Sequence, residues 1–412
     1  MRTILVATML AAIPASVMAE PMSFESALAL AAVNGPSVEA GRLEIEARRT
    51  AIAAADELPD PKLGVRVENF PVSGPPAFSL IEDDMTMTVI GLSQEVPSAA
   101  RRRALAARAT ADVTEAEAAQ ALSVREARIA AGVAWLDLAF AERRLAAVNT
   151  AMDTIATYRT SGAAGVASGS VRPAETLDTQ MALVELEDMR SEILAERQRA
   201  RVSLVRWTGD PDPAVAGSLP HLEIDSVRLR RSVDELPQIE LAHAQWQQAQ
   251  SETALAVAGK RPDWMFDVAY QRRASRYGDM VSAGVTVSLP LFTARRQNPT
   301  IAARQADAQA VLARREDLRR SLAADLEASL ADHAMHHDQW ERARDTLLPL
   351  ARQHADLEIA SYAAGRASVQ DVIAVRTAGV QAELLVLERE AEVMRDAVRI
   401  NLTFGGSVDA AH

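Results

Sequence analysis

The residues with the clearest metal-binding chemistry form the short segment DHAMHHD. It contains His333, Met335, His336 and His337. His333 and His337 are four residues apart, so in a helix they lie on one face, one turn from each other. Imidazole and thioether groups bind soft divalent ions or Cu(I), so the four residues are a candidate metal site. The alternative, which we favour on spacing alone, is a set of solvated or packed imidazoles on a helix.

Enzymatic chemistry finds no support in the sequence. It contains no glycine-rich phosphate loop, no zinc-peptidase signature and no nucleophile elbow. The serines of the segment Ser168-Gly169-Ser170 have no base placed near them in the sequence. We therefore predict that the protein is not an enzyme, with no catalytic residues and no cofactor.

Charge and composition argue against a nucleic-acid-binding protein and favour a protein built of long helices. The 412 residues carry a net charge of −12, which argues against nucleic acid as a partner because phosphate binding needs clustered positive charge. The basic run Arg101-Arg102-Arg103 is the nearest exception, and we interpret it as the point where the chain leaves a membrane surface. Hydrophobic residues make up 49% of the chain and aromatic residues only 4%, a balance typical of closely packed long helices.

The first 19 residues have the pattern of a secretory signal peptide. Arg2 precedes an apolar run from Ile4 to Ile13, and Val17 and Ala19 occupy the positions that a signal peptidase recognises. The chain contains no cysteine, so we expect neither disulfides nor a lipid-anchor thiol.

A very long helix is predicted to begin at Ser98. The stretch from there to Arg172 contains no proline and is rich in Ala, Glu, Arg and Leu, the residues that lose least freedom in a helix. About 60 helical residues at ~1.5 Å each would extend on the order of 90 Å. Such a helix predicts a coiled coil, an extended bundle or a tube. A glycine-rich turn over residues 161–173 would reverse the chain.

Four segments of about ten residues alternate between apolar and small or polar side chains, which predicts β-strands. They cover residues 62–72, 84–97, 263–273 and 279–292. In the second strand, Met85, Met87 and Val89 are predicted to lie on one face and Thr86 and Thr88 on the other. The third strand is the clearest, with Trp264, Phe266, Val268 and Tyr270 on one face.

The same order of elements occurs twice. After the signal peptide, residues 20–210 form a first repeat with a helix, two strands and a long helical hairpin over residues 98–208. A linker over residues 211–232 follows. A second repeat at residues 233–404 contains another helix, two strands and a hairpin over residues 300–402, and residues 405–412 form a tail. The predicted fold is therefore mostly α, with long antiparallel helical hairpins, a small β part and an internal two-fold repeat.

The length of the predicted strands fits a membrane, and their number requires further copies of the chain. About ten tilted residues cross ~25 Å of hydrocarbon, although one such segment alone fits a soluble sandwich equally well. Four strands cannot close a ring, and unpaired backbone groups in lipid cost several kcal/mol each. We therefore expect other copies of the chain to complete the wall.

Taken together, these features resemble the TolC family of outer-membrane efflux proteins. The resemblance covers the whole mature chain. It is carried by the duplicated layout, the strand exit LPLF with basic residues after it, and the turn Tyr362-Ala363-Ala364-Gly365 followed by Ser368 and Asp371. The sequence is also similar to the heavy-metal branch of the family, the CzcC- or CusC-like proteins.

The resemblance implies a homotrimer with a twelve-stranded barrel in the outer membrane and a twelve-helix tube in the periplasm. The hairpin tips would meet a periplasmic adaptor (membrane-fusion) protein linked to an inner-membrane efflux pump of the RND type. The other expected partner is outer-membrane lipid. The predicted adaptor-docking residues are Gly165, Gly169, Tyr362, Gly365 and Ser368.

In the family, acidic residues one turn apart narrow the periplasmic mouth. Asp371 matches the first of these positions, but Ala374 occupies the second, and Glu175 and Asp178 hold corresponding places in the first repeat. We expect these three carboxylates to ring the aperture and to favour cations. The alternative is that Glu175 stabilises a helix start while Asp178 and Asp371 are merely solvated.

The predicted function is passive export through an outer-membrane channel of a tripartite efflux system, with metal cations as the preferred substrate class. The rival prediction is a periplasmic coiled-coil scaffold without a pore.

Overall fold

A computed structural model describes residues 21–168 and 173–405, and the side chains of residues 158–176 lie outside the described part. The predicted signal peptide, Gly169 and almost all of the tail therefore lie outside the described residues. The order of elements is α1 (Phe24–Asn34), α2 (Pro36–Ala55), β1 (Lys62–Glu68), β2 (Met87–Val96), α3 (Ala99–Ser168), α4 (Pro173–Thr208), α5 (Ser226–Ser232), α6 (Pro237–Ala258), β3 (Trp264–Arg272), β4 (Met280–Val287), α7 (Gln297–Arg342), α8 (Leu348–Ala363) and α9 (Val369–Phe404).

The residues form two compact units. The first contains the described parts of residues 1–35, 127–224 and 329–402, and the second those of residues 36–126, 225–328 and 403–412. Each unit takes segments from both halves of the chain.

The first unit has a core built around Trp135 of α3. This side chain is 1% exposed, its ring meets Phe24 edge-on at 5.6 Å, and its indole N–H donates to the Met22 carbonyl at 2.9 Å. Buried leucine, alanine and valine side chains from α1, α3, α4 and α9 complete the cluster. Gly132 lies one turn before Trp135, where a Cβ would come within 3.1–3.2 Å of Leu28, Phe24 and Val398. The small residue lets these helices approach closely.

Local signals explain where most helices begin and end. Ser23 caps α1 by accepting from the Ser26 N–H at 3.1 Å, and Gly35-Pro36 separates α1 from α2. The helix predicted from residue 300 onward is interrupted by a π-helical turn at Ala343–Leu347, which ends two residues before Pro349. Proline lacks an N–H and its ring clashes with the carbonyl four residues earlier, so the wider turn accommodates it.

Two elements differ from the sequence expectation. The segment predicted as a plain linker contains α5, because the Asp225 carboxylate accepts from the N–H groups of Val227 and Arg228, each at 3.0 Å. The long helix α3 has 70 residues and extends beyond the end expected near residue 160.

The second unit contains a four-stranded antiparallel sheet in the order β1-β2-β3-β4. Each strand is shorter than its predicted segment, since the residues at its ends belong to loops. Of the described helices, none has an apolar stretch long enough to cross a membrane.

Candidate functional site

One face of the sheet is apolar and exposed. The register places Leu63 opposite Leu92, Leu92 opposite Val268 and Val268 opposite Ala283, so these residues share a face. Its large side chains are 43–72% exposed. We call this set the apolar face: Leu63, Val65, Val67, Ile90, Leu92, Trp264, Phe266, Val268, Tyr270, Val281 and Val285. Contiguous apolar surface of this kind marks contact with another apolar phase or with a partner.

The predicted alternation of the second strand is confirmed within β2, where Met87 and Val89 share one face and Thr88 lies on the other. Val89 is fully buried and lies opposite Arg66 and Gln271, on the other side of the sheet from the apolar face. Ile90 and Leu92 occupy the apolar face instead. Thr86 precedes the strand, and its hydroxyl donates to the Asn69 carbonyl at 2.9 Å. Met, Thr and Val fit either face of a strand, so the alternation alone did not reveal which side of the sheet each set would face.

The opposite face of the sheet carries polar and small side chains. Lys62 lies 3.4 Å from Glu95, and Arg66 pairs with Glu68. Asp267 faces Gly284, where a Cβ would come within 2.4 Å of its Oδ2 atom. Within the described residues this oxygen is shielded and accepts no hydrogen bond. Gly284 therefore makes room for a carboxylate on the polar face, a pairing that the sequence analysis did not identify.

Asp263, also not singled out from the sequence, joins β3 to the start of α3. Its Oδ1 accepts from the Ser98 N–H at 2.7 Å, and its Oδ2 accepts from Arg101 at 2.7 Å. Arg102 lies 3.7 Å from Asp56. Two members of the basic run are thus paired with carboxylates.

The predicted docking turn between α8 and α9 has a glycine for a conformational reason. Gly365 has φ 71°, which side chains disfavour. Its N–H donates to the Tyr362 carbonyl at 2.9 Å, and the Arg366 N–H donates to the Ser361 carbonyl at 2.9 Å. These two bonds form a Schellman motif, which ends α8 sharply. Tyr362 is 37% exposed beside the turn.

Ser368 and Asp371 form a capping box at the start of α9. The Asp371 carboxylate accepts from the Ser368 N–H at 2.8 Å and from its hydroxyl at 2.7 Å, while the Ser368 hydroxyl accepts from the Asp371 N–H at 3.2 Å. These hydrogen bonds from Ser368 lower the pKa of Asp371 below its ordinary value. Asp371 is therefore ionised at neutral pH and has a structural task as well as a candidate functional one.

The other aperture residues are only partly described. Asp178 is half-buried on α4, one turn before Ala182, and Ala182 packs with Val369 and Ile373 of α9. The segments that carry Asp178 and Asp371 therefore adjoin. Gly165 lies in the last turn of α3 and Glu175 in the first turn of α4, but the side chain of Glu175 lies outside the described residues.

The histidines of the candidate metal site point in two different directions from α7. His336 Nδ1 lies 2.7 Å from Asp396 of α9. His333 and His337 lie together on another face of α7, with ring centroids 6.3 Å apart. Burial lowers the pKa of His333, and within the described residues its shielded Nδ1 has no hydrogen-bond partner.

The structure adds two carboxylates that the sequence analysis missed. His337, Asp338 and Glu341 each offer a ligand atom, and these atoms lie within 4.8 Å of one another. The spacing from His337 to Glu341 is one helical turn, which is a signal readable from the sequence. Met335 is 44% exposed and is not part of this group.

Comparison with known proteins agrees with this architecture. The chain is 24% identical over 395 residues to the cobalt-zinc-cadmium resistance protein CzcC of Cupriavidus metallidurans, covering 94% of this chain and 91% of that protein. No protein-family model matches the chain.

Among solved structures, the Campylobacter jejuni CmeC outer membrane channel matches with a TM-score of 0.77 at 11% identity, covering 94% of this chain and 87% of that one. CusC, solved in a study of folding and transmembrane channel formation, matches with a TM-score of 0.74 at 14% identity, covering 93% and 92%. At these identities the structural likeness establishes the fold. These relatives are channel and resistance proteins, which supports the prediction that the chain is not an enzyme. The resemblance to the TolC family of outer-membrane efflux proteins, and to its heavy-metal branch, is thereby confirmed, and the chain has the fold of an outer-membrane channel.

Proposed function

We propose that the protein is the outer-membrane channel of a tripartite efflux system, which conducts its substrate passively from the periplasmic side to the exterior. The observation that carries this proposal is the apolar face of the sheet. Side chains of this kind would be stable against hydrocarbon, and the polar and small residues of the opposite face would line water.

The sheet also supports a homotrimer. In the described part of the chain, β1 and β4 each pair on one side only. An open edge in lipid leaves backbone groups unsatisfied at several kcal/mol each, so further copies must complete the wall. Three copies would give twelve strands and a closed barrel, and the duplicated helical hairpins would continue it as a twelve-helix tube in the periplasm. The internal repeat predicted from the sequence supports this, because each half would contribute two strands and one hairpin.

The hairpin tips would dock a periplasmic adaptor connected to an inner-membrane pump. On one side this surface would contain Tyr362, Gly365 and Ser368, and the Schellman motif and capping box would keep its backbone rigid. On the other side Gly165 and Gly169 would lie at the matching tip.

We further propose that the substrates are metal cations. The similar protein from Cupriavidus metallidurans is named for resistance to cobalt, zinc and cadmium. A ring of Glu175, Asp178 and Asp371 from three copies would concentrate cations at the periplasmic mouth, since like charges attract counter-ions.

Cell fractionation tests the central proposal. We expect the protein in outer membranes, migrating as a trimer that dissociates on heating, and forming ion-conducting pores in planar bilayers. A water-soluble monomer without conductance would contradict the proposal and would favour the periplasmic scaffold.

The aperture is tested by Asp371→Asn, with Ser368→Ala as the matched control. Both variants weaken the same capping box, but only the first removes the charge. We expect Asp371→Asn to raise single-channel conductance and to reduce cation selectivity, and Ser368→Ala to leave selectivity unchanged. Equal effects would mean that Asp371 serves only to cap α9.

The substrate class is tested by deleting the gene and growing cells on graded cobalt, zinc, copper and antibiotics. Sensitivity to the metals alone is expected. Sensitivity confined to antibiotics would contradict the proposed substrate.

A further inference from the structure

Asp267, on the polar face of the sheet, has no partner for its charge. Its carboxylate lies over Gly284 of the neighbouring strand, where a Cβ would come within 2.4 Å of Oδ2 and 3.4 Å of Oδ1. Within the described residues neither oxygen accepts a hydrogen bond, and Oδ2 is shielded from solvent. An unpaired carboxylate that is partly removed from water is costly. Because β4 is an open edge of the sheet, the missing partner can come from a strand that joins it.

The other open edge, β1, carries an arginine on the same face. Arg66 lies opposite Val89, which is on the polar face together with Asp267. The Arg66 side chain is 57% exposed and pairs within its own chain with Glu68, two residues further along the same strand. An exposed pair of this kind contributes little to stability, so the guanidinium can turn toward a better acceptor. One free edge of the chain therefore offers a cation, and the other lies beside an uncovered anion.

The stagger of a closed barrel decides which residues of two copies meet. Lys62, Ser93, Asp267 and Gly284 form one row across the sheet. Twelve strands tilted by about 35–45° require a total register shift of about 12–17 residues, given strands about 4.8 Å apart and a rise of about 3.3 Å per residue. Three equal copies share this shift, and an even number per copy keeps the apolar face on the outside. Of the possible values, ~4 residues per copy meets both conditions.

This shift brings Arg66 of the next copy opposite Gly284. Without a shift the row would meet Lys62 instead. The shifted register also pairs the whole of β1 with residues 282–288, whereas the same shift in the other direction would leave β1 and β4 a single pair. Gly284 has no side chain that could separate the Arg66 guanidinium from the Asp267 carboxylate.

We propose that Arg66 of one copy forms an ion pair with Asp267 of the next copy across Gly284, and that this pair fixes the register in which the copies join. The inference rests on the proposed trimeric channel. A guanidinium presents a planar fork of N–H donors that matches a carboxylate. Each of the three seams of the barrel would then cover a carboxylate that the single chain leaves unpaired.

Cysteine cross-linking of the full-length protein tests the register, because the chain has no cysteine of its own. Glu68→Cys with Ser282→Cys places two thiols directly opposite each other in the proposed register. Gly64→Cys with Ser282→Cys is the matched control, because these positions would align only without the shift. After oxidation with diamide in outer membranes, we expect covalent dimers and trimers from the first pair and none from the control.

Heat dissociation of the trimer tests the ion pair itself. Arg66→Gln and Asp267→Asn should each speed dissociation by roughly fivefold or more, because either change leaves the opposite charge unpaired at three seams. The double variant should dissociate no faster than the single variants, since both changes act on one pair. Lys62→Gln makes the same change of charge on the same face of β1 and should alter the rate by less than about twofold.

The proposed pair is overturned if a protein that still migrates as a trimer forms links only from the control pair or none from the first pair. Effects of the two single variants that multiply in the double variant would overturn it as well. These outcomes leave the channel in place. A monomer before heating, with no links from any variant, would overturn the trimer too, so the two failures are distinguishable.

Discussion

The core of the first unit and the apolar face of the sheet use the same types of side chain in opposite ways. Trp135 is 1% exposed and its N–H is paired, whereas Trp264 is 43% exposed on the apolar face. Val398 is fully buried in the core, while Val281 is 72% exposed. Burial in protein explains the first set, since removal of apolar surface from water stabilises a fold. The second set needs a different apolar environment, which the proposed membrane would provide.

The largest expected effect comes from a substitution in the core of the first unit. Trp135→Ala removes the central side chain of the first unit and one of two hydrogen bonds to the Met22 carbonyl, which keeps the bond from the Ala216 N–H. We expect a loss of about 3–5 kcal/mol in the free energy of unfolding, because a large cavity remains. Urea unfolding in detergent, followed by circular dichroism, measures the loss. Trp264→Ala is the matched control and should cost much less. Equal losses would show that the two regions do not differ as described.

The next prediction tests the environment of the apolar face with two adjacent residues. Leu92 lies on the apolar face in the middle of β2, and Ser93 lies on the polar face of the same strand. Leu92→Arg should destabilise insertion into lipid vesicles by about 2–4 kcal/mol, because a charge near the centre of a bilayer is costly. Ser93→Arg should have a far smaller effect on insertion. Folding into vesicles, measured by protease protection, compares the two. A similar tolerance of both substitutions would argue against lipid contact.

Two glycines within helices test how tightly the core is packed. A Cβ at Gly132 would crowd three side chains, whereas a Cβ at Gly379 meets no described atom within 4 Å. Gly132→Ala should therefore destabilise the protein by about 1–3 kcal/mol through overpacking. Gly379→Ala should stabilise it by up to about 1 kcal/mol, because alanine favours helix. Thermal unfolding of both variants checks the opposite signs. A stabilised Gly132→Ala would mean that the core can relax.

The smallest effect concerns a helix start that depends on neither region. Ser368→Ala removes an N-cap side chain and should cost about 1 kcal/mol in the free energy of unfolding. The pKa of Asp371 is lowered in the folded state, so its contribution is present above its ordinary pKa and is lost as pH falls through the folded value. The difference in the free energy of unfolding between the wild type and Ser368→Ala should therefore become smaller as the pH falls. A constant difference from neutral to acidic pH would contradict the capping box.

Features set by neighbouring residues were predictable from the sequence. The Ser23 cap, the break at Gly35-Pro36 and the turn at Gly365 each depend on residues within one or two helical turns, and the structure contains all three. Long apolar and alanine-rich periodicity also gave the dominant helices, because helix propensity adds over many residues.

Features set by distant residues were not predictable in the same way. His336 turns toward Asp396, which is 60 residues away, so spacing within α7 could not reveal its direction. The faces of β2 depend on its pairing with β1 and β3, and the mixed Met, Thr and Val residues at its start were compatible with either register. Asp267 and Gly284 become partners only when two strands align.

The wide helical turn at Ala343–Leu347 has a consequence for how this chain can change. The turn holds one residue more than an α-helical turn, so deleting a single residue from it would restore a regular helix in which Ala355 keeps its buried position. The same deletion would press the ring of Pro349 against the carbonyl four residues earlier. A paired change, deletion together with Pro349→Ala, would relieve that clash, so the proline is what makes the additional residue necessary.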